Sequence, residues 1–144
     1  MRIAAAAVAL AAAGAVALPQ PGSRLAGRTA QGTGIVLELA ERGRAVQTVL
    51  VTLRADCGDG RRILLAHQAL LGPYPVARDG SFETSVRRGR SRLFPAPDEI
   101  RVFGRFVARR RATGFALVRA RRVEPVHGLT DFCHSGLVGW TARG

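Results

Sequence analysis

His127, Asp131 and His134 fall within eight residues of one another, beside Cys133 and Ser135. Imidazole and carboxylate groups at such spacing are metal-ligand types, and His67 is the one further histidine that could join them. The intervals match no zinc spacing, and Cys133 has a better use, so neither a metal nor another cofactor is expected. The same stretch invites a hydrolase reading, with Ser135 as nucleophile and Asp131 orienting a histidine base, His127 or His67. Ser135 precedes Gly136 but lacks the G-x-S-x-G elbow that strains and exposes a nucleophilic serine. Asp98 and Glu99 are adjacent, and on a strand neighbours point to opposite faces, so they make no facing carboxylate pair for glycoside cleavage. No catalytic residue is assigned. A small extracellular hydrolase built on His127, Asp131, His134 and Ser135 stands as the alternative function.

The arginines are the stronger surface signal. The formal charge is +12, and all 22 basic residues are arginine. Lysine and asparagine are both absent, which a GC-rich genome produces without selection for function. The charge attracts anions whatever its origin. Arg87, Arg88, Arg90 and Arg92 form one cluster and Arg109, Arg110 and Arg111 a second. Together they could make a patch for phosphate-rich polymers, because guanidinium binds phosphate in a two-pronged fashion. Binding to single-stranded nucleic acid would add stacking aromatics, and Phe94 is the one aromatic in the first cluster. Anionic cell-envelope polymers are therefore the expected partner, and nucleic acid is not.

The location follows from the first residues. Met1 and Arg2 give a positive start, Ile3 to Ala13 is an uncharged apolar run, and Ala15-Val16-Ala17 offers small residues at a cleavage site. Residues 1–17 read as a signal-peptide helix, and Pro19 and Pro21 end the run before it reaches membrane-spanning length. The protein is expected outside the cytoplasm, secreted or held at the envelope. Two cysteines, Cys57 and Cys133, then read as a disulfide. In the chain-entropy model such a long loop is worth on the order of 4 kcal/mol.

What must position these groups is a set of short strands. Residues 18–34 are rich in Pro, Gly, Ser and Thr and read as an extended or disordered lead-in. From Ile35 the period is two. Val49, Val51, Leu53, Ala55 and Cys57 share one face, so the Cys57 sulfur points with the apolar set. Gly58-Asp59-Gly60 is a turn. Arg61 to Leu71 is read as a strand over a short helix, with Ile63, Leu65, His67 and Ala69 on one face. Gly72 to Pro75 reads as a loop. Asp79-Gly80 centres a hairpin that carries Phe82, Thr84 and Val86 on one face. Residues 87–98 are irregular. Ile100, Val102, Gly104 and Phe106 oppose Arg101, Phe103, Arg105 and Val107. Arg109 to Arg111 is a polar tip, 112–123 returns with an ambiguous inward face, and a last strand runs from Cys133 to Ala142. About eight strands with short connections imply an all-β domain over residues 35–144, either an antiparallel sandwich or a small barrel.

Several short blocks carry a resemblance. They are Thr29-Ala30-Gln31-Gly32, Cys57-Gly58-Asp59-Gly60, Asp79-Gly80-Ser81-Phe82, Ala112-Thr113-Gly114, and Cys133-His134-Ser135-Gly136 running on to Trp140-Thr141-Ala142-Arg143. In this order they resemble a family of uncharacterised exported actinobacterial β-rich proteins with paired cysteines and a C-x-SG-x-V-x-WTAR end. Ala30 departs from that family's serine near the start. The resemblance covers residues 28 to 143 and implies an exported β domain with paired cysteines; it implies no activity. Trp140 would close one end of the core, its N–H needing a partner. The combined reading is a non-enzymatic, envelope-associated or secreted binding module with a basic surface.

Overall fold

Two-residue alternation carries through most of the described residues and builds nine strands among them. The computed structural model describes residues 18–42, 44–87, 96–123, 127, 128 and 130–144. The strands are β1 (Arg24–Thr29), β2 (Gly34–Leu39), β3 (Ala45–Cys57), β4 (Arg62–Pro75), β5 (Ser81–Arg87), β6 (Ala96–Ala108), β7 (Arg111–Val123), β8 (Thr130–His134) and β9 (Val138–Arg143). The expected signal segment, residues 1–17, lies outside the described residues. No helix among those described is long and apolar enough to cross a membrane.

Antiparallel pairing closes six strands into a ring, β3-β2-β1-β9-β7-β8 and back to β3. The fold is therefore an all-β barrel rather than a sandwich. Closure depends on strand length. β3 and β7 have 13 residues each, about 40 Å of chain, enough for two successive neighbours on one edge. β3 pairs β2 and then β8, while β7 pairs β9 and then β8. The short β8 thus plugs the gap where β2 and β9 have ended. β4 extends the sheet beyond β3, and β6 and β5 extend it beyond β7.

The inward faces follow the alternation. Val49, Val51, Leu53, Ala55 and Cys57 are buried on β3, and Ile100, Val102 and Phe106 on β6. On β7, whose inward face was ambiguous, Ala112, Ala116, Val118 and Ala120 turn inward. Burying a Leu, Ile, Val or Phe side chain contributes about 1.5–3 kcal/mol each.

Four expectations need correction. The lead-in is not free of structure, because residues 24–29 form β1 between β2 and β9; glycine and threonine had hidden its buried Leu25 and Thr29. Residues 72–75 are not a loop but the end of β4, paired with β3. The Asp79-Gly80 turn exists, yet β4 and β5 do not ladder across it: β4 pairs β3 and β5 pairs β6. The last strand is two strands, split at Ser135-Gly136-Leu137. β4 also breaks its own alternation. Val51 opposes Gln68 while Leu53 opposes Leu65, so the extra residue makes a bulge. His67 takes a positive φ of 48° there, with its N–H donated to Thr52 Oγ1. Leu65 and Leu70 consequently both face inward, and His67 is exposed.

Candidate functional site

The disulfide organises the first candidate region. Cys57 and Cys133 sit directly opposite each other on β3 and β8, with Cα atoms 4.0 Å apart. Gly58 N–H donates to Phe132 O, so the cysteines occupy a narrow, non-hydrogen-bonded pair, the spacing that lets two sulfurs meet. Beside them the Asp131 carboxylate accepts from Gly58 N–H at 3.0 Å and Asp59 N–H at 3.2 Å. A Cβ at position 58 would lie 2.8 Å from Asp131 Oδ1, so glycine is what admits the carboxylate. Asp131 thus stitches β8 to the β3–β4 turn.

The neighbouring groups are committed in the same way. Ser135 Oγ accepts from Val118 N–H at 2.9 Å and donates its single proton to Gly136 O at 2.8 Å. That bonding fixes the β8–β9 turn and gives the proton to a carbonyl rather than to a base. His127 and His134 are exposed. Among the described residues, the one group with ligand atoms close together is Cys57, Asp59 and Asp131. The Cys57 sulfur is in the disulfide, and Asp131 is engaged by amides. His67, His127 and His134 do not join that group. Asp98 takes a two-pronged pair from Arg121, at 2.8 and 3.1 Å, which raises the Arg121 pKa.

Arg87 opposes Glu99 near the start of β6, whereas Arg109–Arg111 turn the chain at the end of β6. Nine residues of strand lie between, about 30 Å of chain. The Arg87 backbone thus lies well along the strand from that turn. Arg88, Arg90 and Arg92 fall outside the described residues. The structure instead adds an arginine the sequence did not suggest. Arg143 on β9 lies directly opposite Arg111 on β7. Arg109, Arg110, Arg111 and Arg143 are all exposed, and none forms an ion pair with a described residue. Six other arginines do pair with acids: Arg24, Arg61, Arg62, Arg101, Arg105 and Arg121. Like charges directly opposite on a sheet are destabilising, so the bare Arg111–Arg143 pair is an unusual concentration.

A cleft of about 1280 Å³ opens on the outward face of β5, β6, β7 and β9. Phe103 and Phe115 form its aromatic wall, ring centroids 5.9 Å apart. Phe115 is 47% exposed and Leu137 64%. A second cleft of about 630 Å³ shares Leu117 and Leu137 and runs toward exposed Phe132 and His134. One signal for this site was legible. Phe103 alternates outward between Arg101 and Arg105, an odd place for an aromatic unless something covers it.

Behind the cleft wall the core is shaped around Trp140. Phe82, Gly104, Gly114 and Trp140 form one row across four strands. A Cβ on Gly104 would sit 2.6 Å from Trp140 Cζ2. The glycine leaves room for the indole, which reaches Phe82 at 6.2 Å. Trp140 does fill the core, but its Nε1 is buried with no hydrogen-bond partner among the described residues, as is Thr84 Oγ1.

Fold and surface together define a small closed β-barrel with a basic tip and an aromatic cleft on its outer face. No family model, curated protein or solved structure matches the chain.

Proposed function

We propose that this chain is an exported, non-enzymatic binding module, secreted or envelope-associated, that holds anionic envelope polymers through arginine. The observation that carries this reading is the tip where Arg109, Arg110 and Arg111 meet Arg143 with no ion pair to a described acid. Six other arginines are paired with acids; here four exposed arginines gather at one end of the barrel. Each can grip a phosphate or carboxylate with two parallel hydrogen bonds. The disulfide is compatible with an extracytoplasmic location, the signal-like start supports export, and the block resemblance supports an exported actinobacterial family.

The test is binding to a polyanionic wall polymer, a polyol phosphate chain, across a salt series. Affinity should fall steeply as salt rises, because exposed charges are screened. Replacing Arg109, Arg110, Arg111 and Arg143 with alanine should remove most of the low-salt binding and flatten the salt dependence. Equal binding by wild type and the fourfold variant would refute the proposal.

A further inference from the structure

The basic tip and the aromatic cleft lie on one continuous face. Along β7 the outward residues are Arg111, Thr113, Phe115 and Leu117, and the register sets neighbours beside each. Arg111 lies against Arg143, and Thr113 against Thr141. Phe115 sits between Phe103 on β6 and Gly139 on β9. Successive rows are about 7 Å apart, so Phe115 lies about 14 Å from the Arg111–Arg143 row.

Charge differs sharply between the two ends. Around Phe115, Arg101 is paired with Glu83 and Arg105 with Asp79 at 3.4 Å. Both arginines beside Phe103 on β6 are thus neutralised, while Arg28, which also lines the cleft, has no ion pair with a described residue. Two further guanidinium groups without an ion pair to a described residue stand together at the tip, on Arg111 and Arg143. We propose that this face seats a linear glycan bearing acidic groups, a sugar ring lying on Phe115 and an acid two rows away on Arg111 and Arg143. The anion end rests on the function proposed above; the ring site stands on the cleft alone.

The chemistry selects a sugar chain. A half-exposed phenyl face offers an apolar, electron-rich surface to the C–H face of a pyranose. Gly139 leaves the floor of the cleft open, since a Cβ there would meet only Phe115 Cε1, at 4.0 Å. The exposed Glu83 carboxylate in the Phe103–Phe115 row and the Arg101 guanidinium one row on supply an acceptor and donors for hydroxyls. A polynucleotide would bring a phosphate with every nucleotide, including along the rows where Arg101 and Arg105 are already neutralised by Glu83 and Asp79. A second copy of the chain would bring a second +12 against the first and is opposed by self-repulsion.

The disulfide-bonded protein is titrated with three probes of similar length. They are an oligosaccharide of alternating uronate and N-acetylhexosamine, a neutral glucan and an oligothymidylate. The uronate oligosaccharide should bind best and retain part of its affinity at high salt. Phe115→Ala should weaken it about tenfold at high salt. Gly139→Leu, which fills the cleft floor from a strand position with room for a side chain, should do the same. Arg111→Ala with Arg143→Ala should weaken binding at low salt only. Wild-type affinity in both cleft variants, absence of any saccharide binding, or tighter binding of the oligothymidylate would each overturn the glycan site. Loss in the cleft variants with none in the arginine variant would instead refute the anion reading and support the ring site.

Discussion

Asp79 shows how much of the polar chemistry in this chain serves turns. Its carboxylate accepts from the Ser81 hydroxyl at 2.6 Å and from Ser81 N–H at 3.0 Å. Those bonds hold its pKa below the ordinary 3.8, the side-chain bond first and the amide second, with a smaller attraction from Arg105. A depressed folded value means the carboxylate form is favoured by folding. The turn's contribution is present above the ordinary value and is lost as pH falls through the lower folded one. An NMR titration should place the Asp79 midpoint below that of the same group in Ser81→Ala. Coincident midpoints would remove the hydrogen-bond explanation. Asp131 and Ser135 follow the same logic at other turns. Their residue types suggested catalysis; their partners are backbone amides and a carbonyl.

At the scale of the strand, glycine decides how closely the barrel walls approach. Gly27 on β1 faces β9, and a Cβ there would lie 1.8 Å from Thr141 O and 2.7 Å from Ala142 Cα. No rotamer relieves a clash with backbone, so the strands themselves must part. Gly27→Ala should cost about 1–3 kcal/mol in chemical denaturation. Gly34→Ala, where a Cβ meets nothing within 4 Å, is the control and should change stability little. Similar losses in both variants would show that chain entropy, not strand approach, sets the cost. The β4 bulge is the other strand-scale device. By adding a residue near His67 it turns both Leu65 and Leu70 into the core, a pairing that simple alternation forbids.

For the whole molecule the critical joint is β8. It has five residues and meets β3 through only two register pairs, Asp56–His134 and Cys57–Cys133. The disulfide locks the shorter of its two ladders and joins residues 76 positions apart in sequence. Cys57→Ser with Cys133→Ser should lower unfolding free energy by about 4 kcal/mol. Amide exchange should rise first in β8 and at the adjoining end of β3, before the β1, β2 and β9 region responds. Uniform acceleration across all strands would refute β8 as the weak joint.

The sequence by itself determined the strand class, the buried face of β3, the two faces of β6 and the direction of the Cys57 sulfur. Alternation is local: a residue's side of a pleat is set by its immediate neighbours, and Val51, Leu53 and Cys57 needed nothing else. Strand order, barrel closure and the meeting of Arg143 with Arg111 were decided only by tertiary structure. So was the row that puts Phe115 beside an open glycine. Each depends on which distant edge pairs with which, and in what register. Pairing is chosen by packing of the whole core, and no window of neighbouring residues contains that information.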